Sequence, residues 1–85
     1  MSVKILYFAS LRETLCCSEE TLSDLPPGVE TVGALREWLC ARGERWSALR
    51  TGQSIRAAVN QELAQASQLI ADGDEIAFFP PVTGG

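Results

Sequence analysis

Two short runs at opposite ends of the chain constrain its fold more than any other feature. VKILYFA at 3–9 and EIAFF at 75–79 are β-branched and aromatic, and apolar on both alternating faces. A strand apolar on both faces belongs in the middle of a sheet, because a half-solvated strand alternates apolar with polar. Between them lies one strongly amphipathic segment. Thr31 is the predicted N-cap of a helix running to about Arg42, with Gly43 as its stop. Val32, Leu35, Trp38 and Leu39 recur at three- and four-residue spacing and form one apolar stripe, with Arg36 and Glu37 on the other side. Strands at both ends with one main helix between them predict an α+β domain, a mixed sheet covered on one face by that helix. At 85 residues the chain has room for a single core.

The remaining elements are shorter. Ser10 is expected to cap a brief helix with Leu11, Leu15 and the cysteines inside and Arg12 and Glu13 outside; a weaker strand is expected at 18–22. DLPPG at 24–28 reads as a turn, because two prolines fix φ and remove donors while the glycine permits reversal. The stretch 44–49 is expected to form another helical turn that returns Trp46 to the core, and Thr51-Gly52-Gln53 to break the pattern. IRAAV at 55–59 is a predicted strand ending in a tight Asn60-Gln61 turn. The segment 63–70 is ambiguous, with Leu69 and Ile70 the expected buried pair, and Asp72-Gly73-Asp74 is a turn.

The ionisable inventory narrows the chemistry. Eleven acidic against seven basic side chains give a net charge of −4, and Lys4 is the only lysine. Nucleic-acid binding by phosphate neutralisation needs a clustered positive surface, so it is not expected here. There is no histidine, which removes Ser-His-Asp and Cys-His catalysis and the usual zinc sites. Cys16, Cys17 and Cys40 are odd in number and lack CxxC spacing, so they are read as reduced thiols in a cytoplasmic protein. No signal peptide and no membrane-spanning run is expected.

The chemistry is concentrated in the tail. Pro80-Pro81 ends ladder pairing and holds the chain extended, so residues 80–85 are expected to leave a 1–79 domain as a directed arm. Fully extended, six residues reach roughly 20 Å. Glycine at 84 and 85 leaves no side chain to obstruct the terminal carboxylate, so the peptide can slide through a channel too narrow for any other residue. A terminal carboxylate on Gly85 is a poor electrophile, so it requires activation, most simply as an acyl-adenylate made by a separate ATP-dependent enzyme.

The run DGDEIAFFPPVTGG at 72–85, the opening 3–9 strand with Leu11-Arg12-Glu13, and AAVNQ at 57–61 resemble the small subunit of molybdopterin synthase, a ubiquitin-like sulfur-carrier family. The resemblance covers essentially the whole chain, apart from Cys16-Cys17 and 62–68. It implies a ubiquitin-like β-grasp fold. It also implies a cycle in which an E1-like adenylyltransferase uses Mg-ATP on Gly85 and a persulfide enzyme supplies the sulfur. The resulting thiocarboxylate enters the large subunit of a heterotetramer of two small and two large subunits, and two rounds build the dithiolene from cyclic pyranopterin monophosphate. The chain is then no enzyme by itself; it binds no cofactor or metal, with the active site mainly on the large subunit. Pro80, Pro81, Val82, Thr83 and Gly84 are the implied channel contacts, and Phe78 and Phe79 divide between core and docking surface. The alternatives are a carrier for thiazole synthesis, a ubiquitin-like modifier conjugated through Gly85, and a purely non-covalent interaction domain.

Other residues carry blander readings. Trp38 and Trp46 are read as packing and Asp72, Asp74 and Glu75 as a solvated turn. Arg36, Arg42, Arg45, Arg50 and Arg56 are read as salt-bridging surface rather than contacts to an acidic partner, and Cys40 as a structural residue on the polar edge of the helix.

Overall fold

The computed structural model describes residues 2–23, 25–49 and 55–80; Arg50, the 51–53 break and the tail from Pro81 to Gly85 lie outside the described residues. The two apolar runs are strands β1 (Val3–Tyr7) and β5 (Glu75–Phe79), and they pair with each other in parallel, Ile5 opposite Ile76 and Tyr7 opposite Phe78. Three further strands flank them, β2 (Glu19–Leu22), β3 (Arg56–Val59) and β4 (Glu62–Ala64). The sheet order is β2-β1-β5-β3-β4, with every other neighbouring pair antiparallel. This mixed sheet, with its two terminal strands side by side at the centre, is the expected β-grasp arrangement.

One face of the sheet is closed by helix α2 (Val32–Cys40). Val3, Ile5, Tyr7, Ile76 and Phe78 from the sheet meet Val32, Leu35 and Leu39 from the helix, and all eight are at most 1% exposed. Thr31 caps the helix as expected, its Oγ1 accepting from the Ala34 N–H at 3.1 Å. Two more N-terminal donors are satisfied from outside the helix: the Val32 and Gly33 N–H groups donate to the Gln68 and Ala66 carbonyls at 2.9 Å each. Segment 66–70 is thereby laced to the helix start.

Several local expectations are corrected. The helix ends at Cys40 rather than near Arg42, because the Arg42 N–H turns back to the Leu39 carbonyl, tightening the final turn. Cys40 is 6% exposed, in the core instead of on a polar edge, because the covered arc of α2 is wider than the Val32–Leu35–Leu39 stripe. Arg36 falls within that arc too. Its guanidinium lies 5.8 Å from the Phe78 ring centroid, and it donates to the Ile55 carbonyl at 3.1 Å. In helix α1 (Ser10–Leu15), Leu11 and Leu15 are buried, but the capping position is Ala9, at φ 54°, because the Leu11 N–H already bonds the Phe8 carbonyl. Cys16, placed at the left-handed end of α1, is exposed rather than inside. Of Leu69 and Ile70 only Ile70 is buried; Leu69 is 69% exposed, since consecutive residues of an extended segment point in opposite directions.

Two expected features hold in detail. A 3₁₀ turn at Glu44–Leu49 returns Trp46 to the core edge, its ring 5.6 Å from that of Tyr7 in edge-to-face geometry. Asn60 and Gln61 join β3 to β4 with φ of 51° and 72°, both positive as a two-residue type I′ hairpin requires. The Asn60 side chain then clamps the start of β5, accepting from the Glu75 N–H at 3.1 Å and donating to Asp74 at 3.0 Å.

A polar cluster closes the core beside β2. The Tyr7 hydroxyl donates to Glu20 Oε2 at 2.7 Å, and Arg42 grips both Glu20 oxygens at 3.2 and 3.3 Å while lying 4.0 Å over the Trp46 ring. Burial first, and then the Glu20 carboxylate, push the Tyr7 phenol above its ordinary value.

Two predictions follow from this packing. A Cβ added at Gly33 would sit 3.1 Å from both Ala66 Cβ and the Ala66 carbonyl, whereas one at Gly28 meets nothing within 4 Å. Gly33→Ala is therefore expected to cost about 1–3 kcal/mol in urea unfolding and Gly28→Ala to stay within about 0.5 kcal/mol. The Tyr7 phenol stays protonated in the folded chain at pH values where the unfolded chain ionises, so this contribution is constant below about pH 10 and is lost above it. Lys4, held up by its 3.1 Å pairing with Glu19, acts in the same direction. The melting temperature is expected to fall as pH rises past about 10, and Tyr7→Phe to flatten that fall without abolishing it.

Candidate functional site

The site predicted from the sequence begins where β5 ends. Phe79 pairs with Arg56 at the start of β3, and on the other side the Phe8 N–H, just past β1, donates to the Phe78 carbonyl at 3.2 Å. Pro80 follows as the first residue without a ladder position. Pro81, Val82, Thr83, Gly84 and Gly85 lie outside the described residues. What the described residues show is where the expected tail would begin: β5, the central strand of the sheet, is paired with β1 on one side and β3 on the other, and is followed by Pro80.

Alternation along β5 separates the two phenylalanines. Phe78 is 0% exposed and stacks near Tyr7 at 6.4 Å, so it is a core residue and offers no docking surface. Phe79 faces the other way and is partly exposed. There it joins Leu6, Phe8, Ala58, Leu63 and Ala77 around a shallow cavity of about 360 Å³ on the face that α2 does not cover. Phe8 is 47% and Leu63 74% exposed, and Glu75 and Gln61 form polar borders. Apolar side chains on both faces of β1 and β5 thus have two different explanations, a closed face against the helix and an open one that includes Phe79 at the end of β5.

The other candidate groups are occupied with structural tasks. Asp72 accepts from the Ser2 N–H at 2.7 Å, and Asp74 accepts from Asn60 and from the Ala71 N–H at 2.8 Å. Among the described residues no three metal-ligating side chains come together. Burial, then the Glu20 carboxylate, raise the Cys17 thiol, the opposite of what activates a sulfur nucleophile. Of the arginines read as salt-bridging surface, only Arg42 has an ion-pair partner among the described residues, Glu20. The open apolar face was implicit in the period-two pattern of 3–9 and 75–79, and the partnering of Arg36 was hidden by its helical spacing. Among the described residues no helix is long and apolar enough to cross a membrane.

The chain matches the ThiS family over residues 5–85. It is 43% identical to the molybdopterin synthase sulfur carrier subunit of Escherichia coli over 84 residues, which is 98% of this chain and 99% of the relative. A candidate molybdopterin converting factor subunit 1 from Pyrococcus furiosus has a similar structure, with a TM-score of 0.78 at 30% identity, covering 96% of this chain and 99% of that one. SAMP1 from Haloferax volcanii is similar at a TM-score of 0.75 and 30% identity over 100% of both chains. The family match and the alignment with the relative each span nearly the whole sequence, so the chain belongs to the ThiS family and, within it, groups with the molybdopterin synthase sulfur carrier subunits.

Proposed function

We propose that this chain carries sulfur to the molybdopterin precursor on its last residue, Gly85. An E1-like adenylyltransferase joins the Gly85 carboxylate to AMP with Mg-ATP, releasing pyrophosphate. The outer sulfur of an enzyme persulfide displaces AMP to form an acyl disulfide, and a second thiol then cleaves its S–S bond, releasing the thiocarboxylate and leaving an enzyme disulfide. The thiocarboxylate sulfur attacks cyclic pyranopterin monophosphate inside the large subunit, and two rounds supply the two sulfurs of the dithiolene. A thiocarboxylate is a nucleophile that needs no internal base, which suits a chain without histidine. The chain is therefore the sulfur-donating subunit of a synthase whose active site lies mainly on the large subunit, in a cytoplasmic heterotetramer of two small and two large subunits.

The observation that carries this reading is the exit geometry. A strand held on both sides runs straight into Pro80, and the open apolar face lies beside it. A partner seated on Leu6, Phe8, Leu63 and Phe79 would have the arm aimed into its interior, with Pro80, Pro81, Val82, Thr83 and Gly84 as channel contacts. A second reading, a modifier joined through Gly85 to lysines of other proteins, is favoured by the likeness to SAMP1, whose relatives of the same name are small archaeal modifier proteins.

Incubation with the adenylyltransferase, ATP and a persulfide donor is expected to replace one oxygen by sulfur at Gly85, read by intact mass and located by C-terminal peptide sequencing. A chain that never gains this mass contradicts sulfur carriage. Gly-Gly remnants on lysines of other proteins, in place of the sulfur-bearing form, would select the modifier reading.

A further inference from the structure

A basic cavity adjoins the open face, and nothing in the proposed cycle uses it. It measures about 460 Å³ and is lined by Arg36, Ile55, Arg56, Leu63, Ala64 and Gln65. Leu63 also lines the apolar depression, so the two surfaces are continuous. Arg56 is exposed and stands opposite Phe79, at the root of the arm. Arg36 reaches the same place from α2, and its Nε is buried with no hydrogen-bond partner. Among the described residues neither arginine has an ion-pair partner, in a chain with a net charge of −4 where Lys4 and Arg42 are both paired. Arg36 donates to the Ile55 carbonyl and lies over the Phe78 ring, but no carboxylate neutralises it; what sets Arg36 and Arg56 apart from Arg12 and Arg45, which also have no ion pair among the described residues, is that they line one cavity beside the last residue of β5.

We infer that Arg36 and Arg56 form a positively charged collar around the root of the arm, which docks an acidic segment at the mouth of the partner's channel. The inference rests on the sulfur-carrier reading and adds the charge of the receiving surface. Reach selects a protein partner over the pterin's phosphate. On the sulfur-carrier reading the last six residues extend into the partner, and a small molecule reacting at Gly85 would then be held up to about 20 Å from Arg56. Guanidiniums suit carboxylates, which they bind in two-pronged geometry. A charge at the rim of an apolar contact acts chiefly on the rate of encounter and on its salt dependence.

The test is the association rate of the full-length chain with the large synthase subunit, measured by stopped flow at low and high ionic strength. Arg56→Glu is expected to slow association about five- to tenfold at low salt and much less at high salt. Arg56→Lys should retain most of the rate. Arg45→Glu, which alters the net charge equally but lines a separate surface with Trp46 and Ser47, should change it less than twofold. Because Arg56 is exposed, its variants are expected to fold, which circular dichroism verifies. Equal effects of Arg56→Glu and Arg45→Glu would overturn the collar while leaving sulfur carriage intact. Slowing of Arg56→Glu that persists undiminished at high salt would also overturn it, since the role would then be steric. No binding by the unaltered chain would overturn the functional reading and the collar together.

Discussion

The parallel pairing of β1 with β5 is the contact on which the rest of the structure depends. Parallel neighbours cannot be joined by a tight turn, so everything between Tyr7 and Glu75 serves as the crossover that brings them together. Their alternate residues supply five of the most deeply buried side chains, and α2 settles on that surface with its own apolar arc. β2 and β3 attach to the outer sides of the pair, and β4 follows β3 through the Asn60-Gln61 hairpin. The same pairing determines where β5 ends, because β1 holds it as far as Phe78, β3 holds Phe79, and the residue after that is proline.

Much of this was legible because it rests on local chemistry. The doubly apolar strands, the Thr31 cap and the Asn60-Gln61 turn each follow from properties of a few adjacent residues, and all appear as expected. What was not legible depends on neighbours distant in sequence. Arg36 reads as a solvent-facing residue until Phe78 and the Ile55 carbonyl arrive to meet its guanidinium. Cys40 is buried because the covered arc of α2 is wider than its stripe of large apolar residues, and Leu69 is exposed because a bridge to Thr31 sets the direction of its segment. The division of Phe78 from Phe79 was within reach of simple alternation, since adjacent strand residues cannot both face the core.

The two faces of the sheet divide the molecule's tasks. The face under α2 is packed with large side chains and tied at its margin by the Tyr7–Glu20–Arg42 cluster. The opposite face retains Phe8 and Leu63 in solvent, a cost to solubility that a partner surface would remove. A small domain lacking histidine has little means of catalysis, but it can hold a reactive group at a defined distance and direction from a recognition surface. In this account the family's chemistry requires no more from it: the body docks, and the arm reacts.

Removal of Gly84 and Gly85 tests that division most directly, with molybdopterin formation measured in a reconstituted system of the large subunit, adenylyltransferase, sulfur donor and precursor. The account predicts complete loss of product, together with unchanged urea unfolding and retained binding to the large subunit. Product formation at an undiminished rate by the shortened chain would contradict it, because the reactive atom would then lie in the body and not on the arm.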